Sequence, residues 1–542
     1  MRRGSPILKL VALALGVAAF VLAACGGGGG SGTTASSGPD PASLVPADSP
    51  LYFDSVVKPA GDQRAAVDSF LQKISGRSDV GSLIVQSFDK QLQKSGVNYE
   101  KDIAPWLGER LGAFATKLGK SPGGAAIVPT TDPGAAMTTF EKAARATPAD
   151  GKLEKSSYKG TDYDVQGNTS FGVVGDFFVA GTDDAFKAAV DTAAGGASLA
   201  SSSSYRSALA GAPADRLATV VADPKSIVDA ILASSNVQLP ASAPGLEQLH
   251  ALEGQPVAAW LDATSSTVGL TVSTAATGNA PASGASLITG FPDDAWLAFG
   301  ASMFGQGFAQ GLQQLQSAAA AAPGGLGGPG PAQMLQRLGA VTGVDFKNLT
   351  QWLGSASGYM SGSSVFSLGG ALVLGTSDEQ ASARTLSQVQ SALAHDRNLV
   401  VSPLGGGQTG FKVQPAGAPV EIDVEQSAGK VVVGLGQASI DNALHPSSSL
   451  GDSSAFKAAT SALGSGVVPS FYLDFKPIAS FLALAQSSSS APGLQQATPY
   501  LDRLDYLVAG AGRSGDRQQV SIVLGVREAS GSGSGVTAAI QP

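Results

Sequence analysis

Pro46-Ala47-Asp48-Ser49-Pro50-Leu51-Tyr52-Phe53 returns as Pro292-Asp293-Asp294-Ala295-Trp296-Leu297-Ala298-Phe299, a shift of 246 residues. In both places a Pro/Asp turn precedes an apolar stretch that alternates like a strand. The shift persists downstream. Gly96-Val97-Asn98-Tyr99 meets Gly343-Val344-Asp345-Phe346 to within one residue, and Trp106-Leu107-Gly108 falls on Trp352-Leu353-Gly354. The register then runs ungapped through Gly124-Ala125 over Gly370-Ala371 and Thr130-Thr131-Asp132 over Thr376-Ser377-Asp378. Farther on it drifts by a few residues, with Tyr205-Arg206-Ser207-Ala208 over Phe456-Lys457-Ala458-Ala459 and Asp223-Pro224-Lys225 over Asp474-Phe475-Lys476. Chance does not readily keep this order. A period so long indicates two globular copies instead of a solenoid, whose repeats run about 20–50 residues.

Copy one is expected over 44–274 and copy two over 289–527, joined by an Ala/Gly/Ser/Pro-rich linker at 275–288. Copy two carries a low-complexity insert at 317–332, and the Gly/Ser-rich tail 528–542 is expected to be disordered. Within copy one, period-two stretches predict strands at 51–57, 111–117, 125–129, 152–158, 161–166, 170–181, 217–222, 257–261 and 267–273. Helical spacing predicts helices at 63–74, 82–92 and 134–145, the last capped by Thr131-Asp132-Pro133, with another opening at Thr182-Asp183-Asp184. Hairpin-linked strands with helices between them give an α+β class: two tandem homologous copies, each a largely antiparallel sheet with helices packed on one face.

At the N-terminus, Arg2, Arg3 and Lys9 precede an apolar run of 13 residues, Leu10 to Leu22, which suits a signal-peptide core and is short for a bilayer-spanning helix. Leu22-Ala23-Ala24-Cys25 follows as a lipobox, so 1–24 reads as a lipoprotein signal peptide and 25–43 as a lipidated cysteine with a Gly/Ser-rich tether. Cys25 is the only cysteine, which leaves the mature chain no internal disulfide and no cysteine nucleophile. Loss of residues 1–24 leaves 31 Lys and Arg against 42 Asp and Glu, a net charge of −11 that argues against nucleic acid as a partner.

The lipobox, the Pro-x-Asp opening strand and the Trp-Leu-Gly turn of both halves resemble a family of bacterial lipoproteins with a duplicated domain of unknown function, domain of unknown function 3352. That resemblance implies an extracytoplasmic envelope protein. It also implies a diacylglycerol on the Cys25 sulfur and a further acyl chain such as palmitate on its amine. Two or more chains, at about 0.8 kcal/mol per buried CH₂, hold a protein on a membrane stably. The family contributes no catalytic residues.

Trp106 and Trp352 are read first as core aromatics, with two aromatic floors of a ligand pocket as the alternative. Each is followed by Leu and then by Gly108 or Gly354, a residue suited to a left-handed helix end. Asp48 and Asp294 read as turn residues. Gly119-Lys120-Ser121-Pro122-Gly123 matches G-x-S-x-G but joins two predicted strands, where a nucleophile elbow needs a strand and a helix. His250, His395 and His445 lie too far apart in sequence for a zinc ligand set. Gly325-Leu326-Gly327-Gly328-Pro329-Gly330 satisfies G-x-G-x-x-G inside low-complexity sequence, with a Pro where a helix should begin, so no cofactor is expected.

The favoured expectation is a non-catalytic, lipid-anchored binding module for a small hydrophobic ligand or an envelope protein, with a groove between the copies. The alternatives are a scaffolding lipoprotein that binds protein partners and, less favoured, a hydrolase of unfamiliar design built from Ser, Asp, Glu or Lys alone, for which Ser121 is the residue to test.

Overall fold

The computed structural model describes residues 38–92, 95–119, 121–146, 151–234, 254–276, 286–305, 352–364, 367–478 and 500–527. Cys25, His250, the insert 317–332, the tail 528–542, the Gly343–Phe346 stretch and most of the 275–288 linker lie outside them. The chain divides into two compact units, one from Met1–Ala280 with Gly512–Pro542 and the other from Pro281–Ala511.

In unit one, β1 (Leu51–Val56) pairs with β2 (Arg110–Lys117), and β2 with β3 (Gly123–Pro129). Beyond β3 come β7 (Phe177–Gly181), β6 (Thr169–Val174), β5 (Thr161–Gln166) and β4 (Leu153–Tyr158). On the other side of β1 lie β8 (Ala218–Ala222), β9 (Val257–Ala263) and β10 (Thr267–Ala275). Every one of these pairings is antiparallel. Among the described residues the helices are α1 (Gly61–Ser75), α2 (Val80–Leu92), α3 (Pro133–Arg145), α4 (Asp183–Ala193), α5 (Ser203–Ala208) and α6 (Pro224–Ser234).

Unit two repeats this pairing order. β11 (Leu297–Ala301) pairs with β12 (Leu353–Ser361), followed by β13 (Gly369–Thr376), β17 (Lys430–Leu435), β16 (Ile422–Ser427), β15 (Thr409–Pro415) and β14 (Leu399–Pro403). β18 (Val467–Asp474) lies on the other side of β11, and β19 spans Leu504–Ser514. Among its described residues the helices are α7 (Glu379–Leu393), α8 (Gln437–Leu444) and α9 (Ser454–Ser461).

The α+β class is therefore observed, but three details differ from expectation. First, the helices do not keep to one face. Val128, Phe178 and Ala180 join the core under α3, whereas their strand neighbours Ile127, Phe177 and Val179 join the core under α4. β7 reads Phe-Phe-Val-Ala-Gly with every position buried, and a strand apolar on both phases has both faces to cover. Full burial of each Phe and Val side chain there stabilises by about 1.5–3 kcal/mol over exposure. β17 behaves alike, Val431 facing α7 and Gly434 meeting Ile440 of α8.

Second, the predicted strand 170–181 is two strands, β6 and β7, folded back at Gly175, whose φ is 59°. The Gly175-Asp176 pair interrupts the apolar run, and the glycine makes the turn possible. Third, β20 (Arg517–Val526) does not stay with copy two. It pairs with β10 over nine residues, Thr267↔Gly525 to Ala275↔Arg517, within unit one. Its alternation suits either sheet, and β10 offers it an unpaired edge.

Among the described residues, no helix is long and apolar enough to cross a membrane.

Candidate functional site

Trp106 and Trp352 are both sealed in cores. Trp106 is 3% exposed, its ring 5.8 Å from Phe178 and 6.2 Å from Phe140, and its Nε1–H donates to the Asp102 carbonyl and to Thr139 Oγ1 of α3 at 3.2 Å. Trp352 is 2% exposed and donates from Nε1 to Thr385 Oγ1 of α7 at 3.1 Å. Each indole thus plugs the junction of hairpin and helix with its polar atom satisfied. A ligand floor at either indole would require that junction to open. Gly108 and Gly354 do not adopt the left-handed conformation. At Gly108 the requirement is closeness, since a Cβ there would lie 2.5 Å from the Pro129 carbonyl oxygen.

The other sequence candidates disperse. Ser121 is exposed in the β2–β3 hairpin and has no helix behind it. His395 Nδ1 lies 2.5 Å from the Ser391 carbonyl at the end of α7, and His445 follows α8. Asp48 and Asp294 are exposed before β1 and β11. No cluster of three or more His, Cys, Asp or Glu able to hold a metal occurs among the described residues.

Charged groups inside the units are engaged in structure. Arg110 donates to the buried Asp54 carboxylate, and burial with the Asp54 charge pushes the Tyr52 phenol well above its ordinary pKa. The Lys58 ammonium donates to the carbonyls of Ala104 and Leu107 at 2.5 and 2.9 Å, fastening the Trp106 turn, and burial lowers its pKa. In unit two Asp423 is buried with Lys412 Nζ at 3.5 Å, and its pKa is raised by burial and by the charge of Glu421.

What the sequence reading missed is a surface. In β10 the valine and leucine phase, Val268, Leu270 and Val272, is the outward one, while Gly269, Thr271, Ser273 and Ala275 are buried. β20 inverts likewise. Val520 and Ile522 are 43% and 41% exposed, whereas Arg517 and Ser521 are 2% and 4% exposed. The inward polar atoms find partners, with Thr271 Oγ1 3.0 Å from Ser521 Oγ, and Arg517 donating to Ser273 Oγ, the Ser273 carbonyl and the Pro256 carbonyl at 3.1, 2.9 and 2.8 Å.

Because paired residues in a sheet share a face, the register builds apolar rows. One runs Phe53, Val220, Ala259, Val272, Val520 across β1, β8, β9, β10 and β20. The next runs Ser55, Ala218, Leu261, Leu270, Ile522. Neither row holds a charge. Asp262 of β9 points to the opposite phase, over Gly269, where burial and the Asp215 charge raise its pKa. α1 lies against β9 and β20 and borders this face, with Ser69 Oγ donating to the Ser265 carbonyl at 3.3 Å. Val220 and Leu270 are 37% and 41% exposed, so the face is open. Contiguous exposed apolar surface of this kind marks interaction sites. The signal was present in the sequence as alternation, but alternation does not say which phase turns inward.

The search of curated proteins found no match. Among solved structures the chain is similar to TP0453 in crystal forms IV and III, at 11% identity and TM-scores of 0.25 in each, over 44% and 45% of this chain and 80% and 82% of that one. A likeness that slight carries no argument about fold or function. The family model described as "Protein of unknown function (DUF3352)" matches residues 7–525, and the chain belongs to that family.

Proposed function

We propose that the protein is a lipid-anchored, extracytoplasmic binding module without catalysis of its own, and that the outward apolar face of β8, β9, β10 and β20 receives its ligand. The observation that carries this reading is the inversion of β10 and β20. Large aliphatic side chains are held toward solvent while Thr, Ser and Arg are turned inward and hydrogen-bonded. Exposing them costs stability that a bound apolar partner restores. The anchor rests on Leu22-Ala23-Ala24-Cys25. The units, with their common pairing order, are taken as duplicated copies, of which copy one supplies the face.

Cells fed an alkyne analogue of palmitate should label the protein, and Cys25→Ala should abolish both label and membrane association. On the full mature chain the dye ANS should fluoresce, and Leu270→Glu should quench the signal. An unlabelled wild-type protein would defeat the anchor, and an ANS signal indifferent to Leu270→Glu would defeat the face.

A further inference from the structure

We infer that the occupant of this face is the acyl chain of a lipid, an assignment that rests on the binding reading above and names its ligand class. From β8 to β20 the open part of the rows traverses four strands, Ser55 of β1 being buried and Phe53 packed into the core under α3, and three spacings of about 4.8 Å give a run of roughly 14 Å. An extended long-chain acyl tail can lie along such a row. Ser55 excepted, the rows offer only hydrocarbon, so a headgroup, a nucleotide or a polar peptide strand placed there would lose its hydrogen bonds to water and gain none. A polymethylene chain has none to lose. Phe53 is the lone aromatic ring in the rows, and branched aliphatic groups present a ridged surface that suits dispersion contact with a flexible chain over stacking with a planar one.

Two further observations favour a lipid over a protein partner. The face is adjoined along β9 and β20 by α1, whose Phe70, Leu71 and Ile74 are half-buried, so aliphatic and aromatic helix side chains lie beside the sheet rows. A protein interface is ordinarily a broad patch with a polar, charged rim. Reach also favours the membrane as source. The described part of unit one begins at Gly38, and the 13 residues from Cys25 span at most about 47 Å at 3.6 Å each. A Cys25 anchor holds Gly38, where the described part of unit one begins, within that distance of a bilayer.

The test is fluorescence titration of the full mature chain with cis-parinaric acid. Leu270→Glu/Ile522→Glu should weaken binding at least tenfold. Both positions are 41% exposed, so the carboxylates stay solvated, and circular dichroism with thermal melting should match the wild type. Val400→Glu, on β14 at 56% exposure, should bind as the wild type does. If the glutamates unfold the chain, Leu270→Thr/Ile522→Thr carries the same expectation, because Thr keeps strand preference. Parinaric acid bound equally by the double variants would overturn the placement. ANS binding at the face without parinaric acid binding would overturn the acyl assignment and leave the binding reading standing, while failure of both probes would remove that reading as well. A wild-type dimer split by Leu270→Glu/Ile522→Glu, with parinaric acid unaffected, would assign the face to a second copy and overturn the inference.

Discussion

The two units place the same bulk on different strands. In unit one Phe171 of β6 stands opposite Asp164 of β5, and it packs with Phe140 of α3 and Phe178 of β7 at 5.9 and 6.4 Å. In unit two the corresponding pair is Phe411 of β15 opposite Val424 of β16, with Leu386 of α7 and Val431 of β17 around it. The phenyl ring stands on the other strand of the pair in unit two, and the side chains around it are aliphatic. Around this change the Trp–Thr hydrogen bond and the Asp cap are held constant, with Asp132 Oδ1 and Asp378 Oδ1 each accepting from a backbone N–H at 2.9 Å. Core volume is exchangeable between neighbours when the total is kept, whereas a cap is a point contact with one geometry. The units differ again at the first strand pair. Unit one buries Asp54 with Arg110, while Gly300 lies 246 residues beyond Asp54 and Ser355 and Ala356 of β12 carry no charge.

Four experiments bear on this contrast, each read by denaturant unfolding together with hydrogen exchange on peptides of the altered unit. Arg110→Met should have the largest effect, about 3–5 kcal/mol, because it strands a buried carboxylate. Asp54→Asn added to it should recover most of that loss, and a failure to recover would mean the pair does more than cancel charge. Phe171→Val should cost about 2–3 kcal/mol. Asp164→Phe added to it copies the arrangement of unit two and should restore stability by coupling across the strand pair. Simple addition of the two losses would break the idea of a relocated ring. Asp132→Ala and Asp378→Ala should each cost about 1 kcal/mol, equally in the two units.

The smallest difference is one of acid response. Lys142 Nζ donates to Asp102 at 2.8 Å and, with the Asn98 N–H, holds that carboxyl below its ordinary pKa, whereas α7 has Gln388 at the place of Lys142. A depressed folded-state pKa means the contribution is present above about pH 3.9 and is lost as pH falls through the lower folded value. It should amount to under about 1 kcal/mol for so exposed a pair. Lys142→Gln should flatten the acid limb of stability in unit one, and an unchanged limb would remove the pair from the account.

The sequence carried the strand and helix order of unit one well, because turns such as Thr131-Asp132-Pro133 and the Trp-Leu-Gly register leave chemical marks. It failed where the deciding fact is three-dimensional. Reading 170–181 as one strand, by contrast, passed over a mark that was present, the Gly175-Asp176 pair between two apolar runs. The two-sided burial of β7 required knowing that α3 and α4 approach from opposite sides. The candidate face escaped for the same reason, because Val268, Leu270 and Val272 would be assigned inward on hydropathy alone, and only the hydrogen bonds of Thr271, Ser273 and Arg517 reverse that assignment. Trp106 and Trp352, conspicuous as letters, turned out to be packing.

The pairing of β10 with β20 ties residues 267–275 to residues 517–525, about 250 positions apart. During synthesis the N-terminal unit must therefore wait, with one margin of its sheet unsealed, until nearly the whole polypeptide has emerged. An unsealed margin is a template for adhesion between chains. Premature termination anywhere in the second unit would accordingly leave the first half sticky as well as the second half missing.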